Sequence, residues 1–222
     1  MDKKLIITID GPAGAGKSTV SKILAKKINY IYLDTGALYR ALAYKALKMN
    51  IPIDEPLALE GLCSNTEVEL KNTNGQMKVF VDGEDVEQKI RTEEIGLAAS
   101  KISTFPVVRK KLLNLQREAG LKGGIVAEGR DMGSVVFPKA DFKFYLDASL
   151  EERTKRRYKE LLLKNSSIEY QLIQKDMMAR DHQDTQRALA PLKPPEGAIR
   201  IDSDCLSVEN IVSQIILYLS MK

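Results

Sequence analysis

The stretch Gly11-Pro12-Ala13-Gly14-Ala15-Gly16-Lys17-Ser18-Thr19 decides the fold of this chain, because it fits the pattern G-x-x-x-x-G-K-[ST]. An apolar run precedes it at residues 5–9, and apolar residues recur at helical spacing directly after it. In such a strand–loop–helix unit, backbone N–H groups turn toward phosphate oxygens, and the positive end of the helix attracts the same oxygens. Lys17 is predicted to reach the β- and γ-phosphates of a nucleoside triphosphate, and the Ser18 hydroxyl to help hold Mg²⁺.

Strands and helices alternate along the rest of the chain, which predicts an α/β fold with a parallel five-stranded sheet and helices on both faces. Lys17, Asp34 and residues 128–131 follow strands directly, so they are expected to converge on one crevice at the carboxyl ends of the strands. Strands are predicted at 4–10, 30–33, 125–127, 142–146 and 198–202. Helices are predicted at 17–28, from a cap at Thr35 to about Met49, and at 208–219. Residues 92–121 are predicted to form two helices with a break at Phe105-Pro106. Two more helices are predicted to begin at the capping boxes Ser149/Glu152 and Ser166/Glu169.

Residues 65–90 show a different pattern. Alternating apolar residues flank the turn signals Asn74-Gly75 and Asp82-Gly83, which predicts a small antiparallel β insert. Pro52 and Pro56 are expected to end the helical region before it. Two roles stay open for the insert: a surface excursion without chemistry, or a part in closing over a substrate.

Composition excludes several classes of protein. The 222 residues carry 34 Lys and Arg against 30 Asp and Glu, so the net charge of +4 gives no argument for nucleic acid. No apolar run approaches about 18 residues, and no signal-peptide pattern is present, which argues against a membrane partner. Cys63 and Cys205 have no ligand-like spacing with His182, the sole histidine, so we expect reduced thiols. A cytoplasmic, single-domain protein, monomeric by default, is predicted.

Phosphoryl transfer between two polyanions requires fixed positive donors, and the planar guanidinium binds phosphate with two parallel hydrogen bonds. For any single arginine the alternative is an exposed, solvated charge. Glu128 is predicted to orient Mg²⁺ through water, or to pair with a neighbouring arginine, and both alternatives hold for Asp34 as well. The candidate arginines are Arg40, Arg109, Arg130, Arg153, Arg156, Arg157, Arg180 and Arg187.

Three further motifs are Leu33-Asp34-Thr35-Gly36-Ala37-Leu38-Tyr39-Arg40, Glu128-Gly129-Arg130-Asp131-Met132-Gly133 and Arg187-Ala188-Leu189-Ala190-Pro191. With the glycine-rich loop, and over essentially its whole length, the chain resembles the long form of bacterial cytidylate kinases, in the P-loop nucleoside monophosphate kinase superfamily. The resemblance implies transfer of the γ-phosphoryl group of ATP to CMP or dCMP, with Mg²⁺, in pyrimidine nucleotide metabolism. It also implies a core (about 1–34, 122–150 and 190–222), an acceptor-nucleotide region (about 35–121) and an arginine-bearing helical lid (about 151–189).

The resemblance assigns roles residue by residue. ATP would be bound by the loop Gly11-Pro12-Ala13-Gly14-Ala15-Gly16-Lys17-Ser18-Thr19 and by Arg156. The acceptor phosphate would be bound by Arg40, Arg130 and Arg187, the cytosine by Ser100, Arg109 and Asp131, and the sugar by Arg180 and Asp184. The catalytic set would be Lys17, Arg130, Arg153, Arg157 and Arg187, and the metal set Ser18 with Glu128 and Asp34, the last two through water. Two positions depart from the family: Glu128 stands where Asp is frequent, and Thr35, beside the nucleotide, where Ser is frequent.

Three other functions are compatible with a glycine-rich phosphate-binding loop. A P-loop kinase for another small acceptor, such as UMP or a metabolite without phosphate, is the nearest alternative, although the many arginines favour a phosphorylated acceptor. A GTPase would need an N-K-x-D segment after a strand, which the sequence lacks. A nucleic-acid-dependent ATPase is disfavoured by the slight net charge and by the lack of an aromatic and basic stripe.

Overall fold

The computed structural model describes residues 4–163 and 169–221, which leaves the predicted capping residue Ser166 outside the described residues. The strands are β1 (Ile6–Asp10), β2 (Ile31–Asp34), β3 (Val68–Thr73), β4 (Gln76–Val81), β5 (Glu84–Asp85), β6 (Ile125–Gly129), β7 (Phe142–Asp147) and β8 (Ile199–Asp202). The helices are α1 (Lys17–Lys27), α2 (Thr35–Lys48), α3 (Pro56–Asn65), α4 (Glu93–Ile102), α5 (Pro106–Gly120), α6 (Leu150–Leu163), α7 (Tyr170–Gln186) and α8 (Val208–Ser220). A single π-helical turn, Met132–Val136, lies between β6 and β7.

The chain divides into two compact units. The first contains the described residues up to Ile6 together with Ala25–Glu128, and the second contains Ile7–Leu24 and the described residues from Gly129 onward. In the first unit β2 pairs in parallel with β6, and the register places Asp34 beside Glu128. In the second unit β7 pairs in parallel with β1 and with β8. The α/β class and the parallel arrangement of strands are therefore those predicted.

The core of the first unit is formed by apolar faces of α2 to α5 and by the β insert. Leu38 and Leu42 of α2, Ile102 of α4 and Leu112 of α5 are fully buried together with Val79 of β4. Helix α4 ends before Phe105, and helix α5 begins directly after it at Pro106. A proline is favourable at the first position of a helix, whereas in the interior it would break the helix.

The predicted β insert is confirmed, and it is not separate from the rest of its unit. Strands β3 and β4 pair in antiparallel register around the Asn74-Gly75 turn, and β5 pairs with β4 after the turn at Asp82 and Gly83. Strand β4 also meets β2 in parallel, where Tyr32 pairs with Gln76. The insert thus extends the strands that carry Asp34 and Glu128.

Two local predictions are wrong. Asp34, not Thr35, caps α2: its side chain accepts a hydrogen bond from Ala37 N at 3.0 Å, and Thr35 is the first helical residue. Pro56 does not end a helical region but begins α3, at the position where its fixed φ and missing N–H favour a helix start.

The two cysteines carry free thiols, with Cys63 buried and Cys205 exposed, in agreement with the sequence-based expectation. Among the described residues, no helix combines the length and the apolar character that crossing a bilayer requires.

Candidate active site

The glycine-rich loop has the strand–loop–helix setting that the sequence predicts, between β1 and α1. Gly11 has a φ of +148°, and a Cβ there would lie 2.0 Å from the carbonyl oxygen of Leu146, so no other residue fits. Lys17 is only 6% exposed, and its Nζ donates to Pro12 O at 2.6 Å. The ammonium group is therefore held at the loop itself, while Ser18, in the first turn of α1, is exposed.

Two of the three arginines predicted for a lid lie against this loop. Arg153, buried on α6, donates to Ala13 O at 3.1 Å and forms an ion pair with Asp181 of α7 at 2.7 Å. Arg156 donates to the hydroxyl and the carbonyl oxygen of Ser203 at 3.0 and 2.6 Å, and the Ser203 hydroxyl donates to Ala15 O at 3.2 Å.

The remaining lid arginine has a different environment. Arg157 pairs with Glu160 on its own helix, and 26% of its side chain is exposed. The side chains of Arg153 and Arg156 are 7% and 30% exposed. Both donate to backbone carbonyl oxygens of the loop or of a strand end, whereas Arg157 pairs with a residue of its own helix.

Two arginines and two aspartates form a buried cluster in the second unit. Arg130 Nε lies 2.9 Å from an Asp184 carboxylate oxygen, and the Arg187 guanidinium lies 3.7 Å from Asp184 and 3.6 Å from Asp131. The side chains of Arg187 and Asp131 are each 5% exposed. Burial by itself would raise the pKa of Asp184, but Arg130 and Arg187 reverse this and lower it below its usual value. Arg180, one helical turn before Asp184, adds to that effect.

A second cluster lies at the ends of β2 and β6 in the first unit. Asp34 Oδ2 binds two guanidinium groups, at 2.7 Å from Arg40 and 2.8 Å from Arg91. Thr35 donates through its hydroxyl to Glu128 O at 2.7 Å, and the Glu128 carboxylate accepts a short hydrogen bond from the Tyr32 hydroxyl. The ion pair with arginine, one of the two interpretations open for Asp34, is present in the structure, and its role toward Mg²⁺ stays a prediction.

The pKa of Asp34 reflects this pairing. Burial alone would raise it, but the charges of Arg40 and Arg91, with the hydrogen bond from Ala37 N, lower the pKa to about 2. A carboxyl group whose pKa is lower in the folded than in the unfolded chain stabilises the fold above the unfolded value. That contribution is lost as the pH falls from about 4 to about 2.

We therefore expect the free energy of unfolding of the wild type to fall by about 2 kcal/mol more than that of Asp34→Asn between about pH 5 and pH 2. Urea unfolding at a series of pH values measures the difference. Asp54→Asn is the matched control, because Asp54 pairs with Lys101 at the surface. Parallel pH profiles for the wild type and Asp34→Asn would contradict the pairing.

The two remaining base-contact candidates of the first unit lie on adjacent helices. Ser100 is in the last turns of α4, and Arg109 is in the first turn of α5. The Arg109 guanidinium donates to Ser103 O at 3.2 Å and stacks 5.8 Å from the centre of the Tyr39 ring. Ser103 connects the two helices, because its hydroxyl donates to Ser100 O while its own carbonyl oxygen accepts from Arg109.

The predicted residues fall into two sets, one in each unit. The first unit brings together Asp34, Thr35, Arg40 and Glu128, and the second brings together Lys17, Arg153 and Arg156 at the loop and Arg130, Asp131, Asp184 and Arg187 in the buried cluster. That both sets meet in one crevice stays a prediction.

The oxygen donors present suit Mg²⁺. This ion binds few protein ligands and keeps several waters beside substrate phosphates. Among the described residues, no three His, Cys, Asp or Glu side chains form a cluster that would hold a metal unaided. The exposed Ser18 hydroxyl and the Glu128 carboxylate are donors of the required type, whereas Asp34 shares its charge between two arginines and is less suited.

Sequence reasoning missed several residues of the site. Arg91, just before α4, completes the Asp34 cluster and is itself held by Glu87. Asp181 and Ser203 hold Arg153 and Arg156, and Asp10 is a fully buried carboxylate directly before the loop. Only Asp10 had a local signal, as an acidic residue that ends an otherwise apolar central strand.

Comparison with known proteins gives concordant results. A family model described as cytidylate kinase matches residues 7–221. The cytidylate kinase of Pasteurella multocida (strain Pm70) is 46% identical over 219 residues, covering 99% of this chain and 96% of that protein. The cytidylate kinase of Bacillus subtilis (strain 168) is 44% identical, covering 97% and 96%.

Solved structures with a similar fold are more distant in sequence. Shikimate kinase from Bacteroides thetaiotaomicron superposes with a TM-score of 0.51 at 12% identity, covering 97% of this chain and 98% of that one. A gluconokinase from Sinorhizobium meliloti 1021 gives a TM-score of 0.50 at 12% identity, with 100% and 94% covered. This similarity concerns the fold alone, which is that of P-loop small-molecule kinases, as predicted.

Proposed function

The chain belongs to the cytidylate kinase family, and on that basis we propose that it transfers the γ-phosphoryl group of ATP to CMP or dCMP, giving ADP and CDP or dCDP. The observation that carries the proposal is the match of the cytidylate kinase family to nearly the full chain, together with a glycine-rich loop between β1 and α1. In the reaction, the bond between the γ-phosphorus and the β,γ-bridging oxygen breaks, and a bond from the γ-phosphorus to a CMP phosphate oxygen forms.

The acceptor needs no general base. A nucleotide phosphate is largely ionised near neutral pH, so the attacking oxygen has no proton to lose. Catalysis then depends on positioning and on positive charge around the phosphoryl group in transfer. His182, exposed on α7, has no required part in such a mechanism.

The donor phosphates are bound, in this proposal, by the backbone N–H groups of the loop, by Lys17 and by Arg156. Ser18, with Glu128 and Asp34 through water, would hold Mg²⁺, which would offset the negative charge of the phosphates. Lys17 acts where it already lies, because its ammonium group is buried against Pro12 O.

The acceptor phosphate is bound by Arg40, Arg130 and Arg187. Each of these guanidinium groups is oriented by a carboxylate: Arg40 by Asp34, and the other two by Asp184. Arginines held in place in advance lose little conformational freedom when the phosphate arrives, which favours binding. Arg130 and Arg187 also belong to the catalytic set, since the transferred phosphoryl group forms its new bond beside them.

Further residues are assigned to the nucleoside. Ser100, Arg109 and Asp131 contact the cytosine, and Asp131 accepts a hydrogen bond from the exocyclic amine. Arg180 and Asp184 contact the sugar, and Thr35 lies beside the nucleotide. Uracil carries a carbonyl oxygen where cytosine carries the amine, so a buried carboxylate at that point disfavours UMP.

Arg153 and Arg157 stabilise the charge of the transition state from a lid formed by about residues 151–189. Arg153 already contacts the loop, whereas Arg157 is partly exposed and reaches the phosphates on closure. Closure also excludes water as a competing acceptor. The rest of the proposed single domain consists of the core (about 1–34, 122–150 and 190–222) and the acceptor-nucleotide region (about 35–121).

Arg91 adds to the acceptor site by neutralising Asp34. Two guanidinium groups share one carboxylate oxygen of Asp34, and Glu87 balances the second charge, that of Arg91, so Arg40 is less fully neutralised by Asp34 and stays more attractive to the phosphate. In Arg91→Met, Arg40 and Asp34 form a neutral pair, and we expect the KM for CMP to rise about tenfold while the KM for ATP changes little.

Initial rates with CMP and ATP varied separately measure this effect of Arg91. Lys101→Met, which removes a surface ion pair with Asp54, is the matched control. Equal increases in both KM values, or no increase, would contradict the role of Arg91 at the acceptor phosphate.

The reaction itself is tested by chromatography of the nucleotides after incubation with Mg·ATP and CMP. Equal amounts of CDP and ADP are expected, and ADP without CDP would contradict the proposal. We further propose that the enzyme acts in the cytoplasm, which its free thiols support. We also propose that it is a monomer without a nucleic-acid or membrane partner.

A further inference from the structure

Asp10 is a charged residue that the proposed reaction does not use, although it directly precedes the glycine-rich loop. It ends β1, and none of its surface is accessible to solvent. Its carboxylate accepts two hydrogen bonds from backbone N–H groups 122 and 123 residues away: Met132 N to Oδ1 at 2.7 Å, and Gly133 N to Oδ2 at 2.8 Å.

Those two N–H groups begin the π-helical turn Met132–Val136, which follows Arg130 and Asp131 directly. The carbonyl oxygen of Asp131 accepts hydrogen bonds from the backbone N–H groups of Val135 and Val136, so the hydrogen bonds of the turn begin at Asp131. Single π-helical turns are frequently found at functional sites. Asp10 thus holds the start of the turn by both carboxylate oxygens.

The π-helical turn also packs closely against β1. A Cβ on Gly133 would lie 2.9 Å from the Thr8 hydroxyl of β1 and 2.9 Å from Cγ of Pro195, so the turn meets the strand with no room for a side chain. Two hydrogen bonds and this steric fit leave little freedom for the backbone next to Asp131.

Burying the charged Asp10 carboxylate is by itself energetically unfavourable. Burial raises the pKa of Asp10 to about 6, even though the hydrogen bonds from Gly133 and Met132 favour the ionised form. A side chain needed only to fill space would be apolar, because burying a charge is unfavourable unless it is compensated. The geometry favours a role that requires an acceptor of two N–H groups.

We propose that Asp10 is a positioning residue that couples the phosphate-binding loop to the segment carrying Arg130 and Asp131. Through the amides of Met132 and Gly133 it fixes these two side chains relative to Gly11, and thereby the alignment of the acceptor phosphate and base. The inference rests on the proposed function, since it concerns the binding of CMP.

Asp10→Asn tests the proposal. Asparagine presents one acceptor and one donor, so one of the two backbone N–H groups would face an NH₂ group and lose its partner. We expect the KM for CMP to rise about tenfold and the ratio of kcat/KM for CMP over UMP to fall about tenfold. The KM for ATP is expected to stay within about a factor of two, because Gly11 is fixed by its own contact with Leu146.

The ratio of the two substrates does not depend on how much of the preparation is folded, so a loss of stability alone leaves it unchanged. Asp147→Asn is the matched control, since Asp147 also ends a strand of this unit but is exposed and accepts from the adjacent Ala148 N. Should Asp10→Asn not fold, Asp10→Glu, which keeps the charge but displaces it by one methylene group, gives the same readout.

A variant that keeps the wild-type ratio and the wild-type KM for CMP would overturn the positioning role. A wild type that fails to phosphorylate CMP would instead refute the proposed function, so the two failures are distinguishable.

Discussion

Lys17→Ala is expected to fold like the wild type and to lose about three orders of magnitude in kcat. Its ammonium group is the positive charge that the structure holds within the glycine-rich loop, buried and hydrogen-bonded to Pro12 O. In the proposed mechanism this charge faces oxygens of the β- and γ-phosphates in the transition state, and in a buried site it is not replaced by water. Because the loop backbone and the arginines remain, binding of ATP should weaken far less than turnover.

The measurement is steady-state ADP release at saturating CMP and ATP, with ATP affinity determined separately by equilibrium binding. Lys26→Ala serves as control, since Lys26 is exposed in the last turn of the same helix. Circular dichroism and urea unfolding establish that both variants are folded. Activity of Lys17→Ala within about tenfold of the wild type would contradict a catalytic role for this residue.

Asp131→Ala is expected to abolish the preference for CMP over UMP, a change of about 10- to 100-fold in the ratio of their kcat/KM values. In the proposed binding mode, the wild-type carboxylate has a partner in the cytosine amine and none in the uracil carbonyl oxygen. Alanine offers no partner to either base. The substitution also removes the ion pair between Asp131 and Arg187, whose charged groups lie 3.6 Å apart. The loss of this ion pair should lower kcat/KM for CMP and for UMP by the same factor.

The ratio of kcat/KM for CMP over UMP therefore distinguishes a loss of base recognition from a disturbance of the arginine and aspartate cluster around Arg187. Asp176→Ala, at an exposed position of α7, is the control and should keep the wild-type ratio. A parallel fall in activity with CMP and UMP, at an unchanged ratio, would assign Asp131 to the arginine cluster alone.

Local sequence patterns predicted the elements of the fold well. The loop between β1 and α1, the hairpin at Asn74-Gly75 and the paired helices around Phe105 were all confirmed, because each depends on residues close together in the chain. The error at Pro56 is of another kind: a proline that ends one segment is also a favourable first residue of the next helix. The sequence alone does not distinguish these outcomes.

The clusters around the site were harder to foresee. Arg91 meets Asp34 across 57 residues, and Asp10 meets Met132 across 122, and neither contact has a short-range pattern. Resemblance to a family identified the arginines expected to touch nucleotide, and it named Asp34 and Asp184 only in other roles. It did not identify Asp181, which holds Arg153. Such partners become visible only once the strands are placed in register.

The most direct test of the proposed reaction is a coupled ADP-release assay with Mg·ATP and, in parallel, CMP, dCMP, UMP, AMP and shikimate at equal concentration. We expect turnover with CMP and dCMP well above that with UMP, and little with AMP or shikimate. Faster turnover with another acceptor, or none with any of the five, would contradict the assignment of this chain as a kinase of CMP and dCMP.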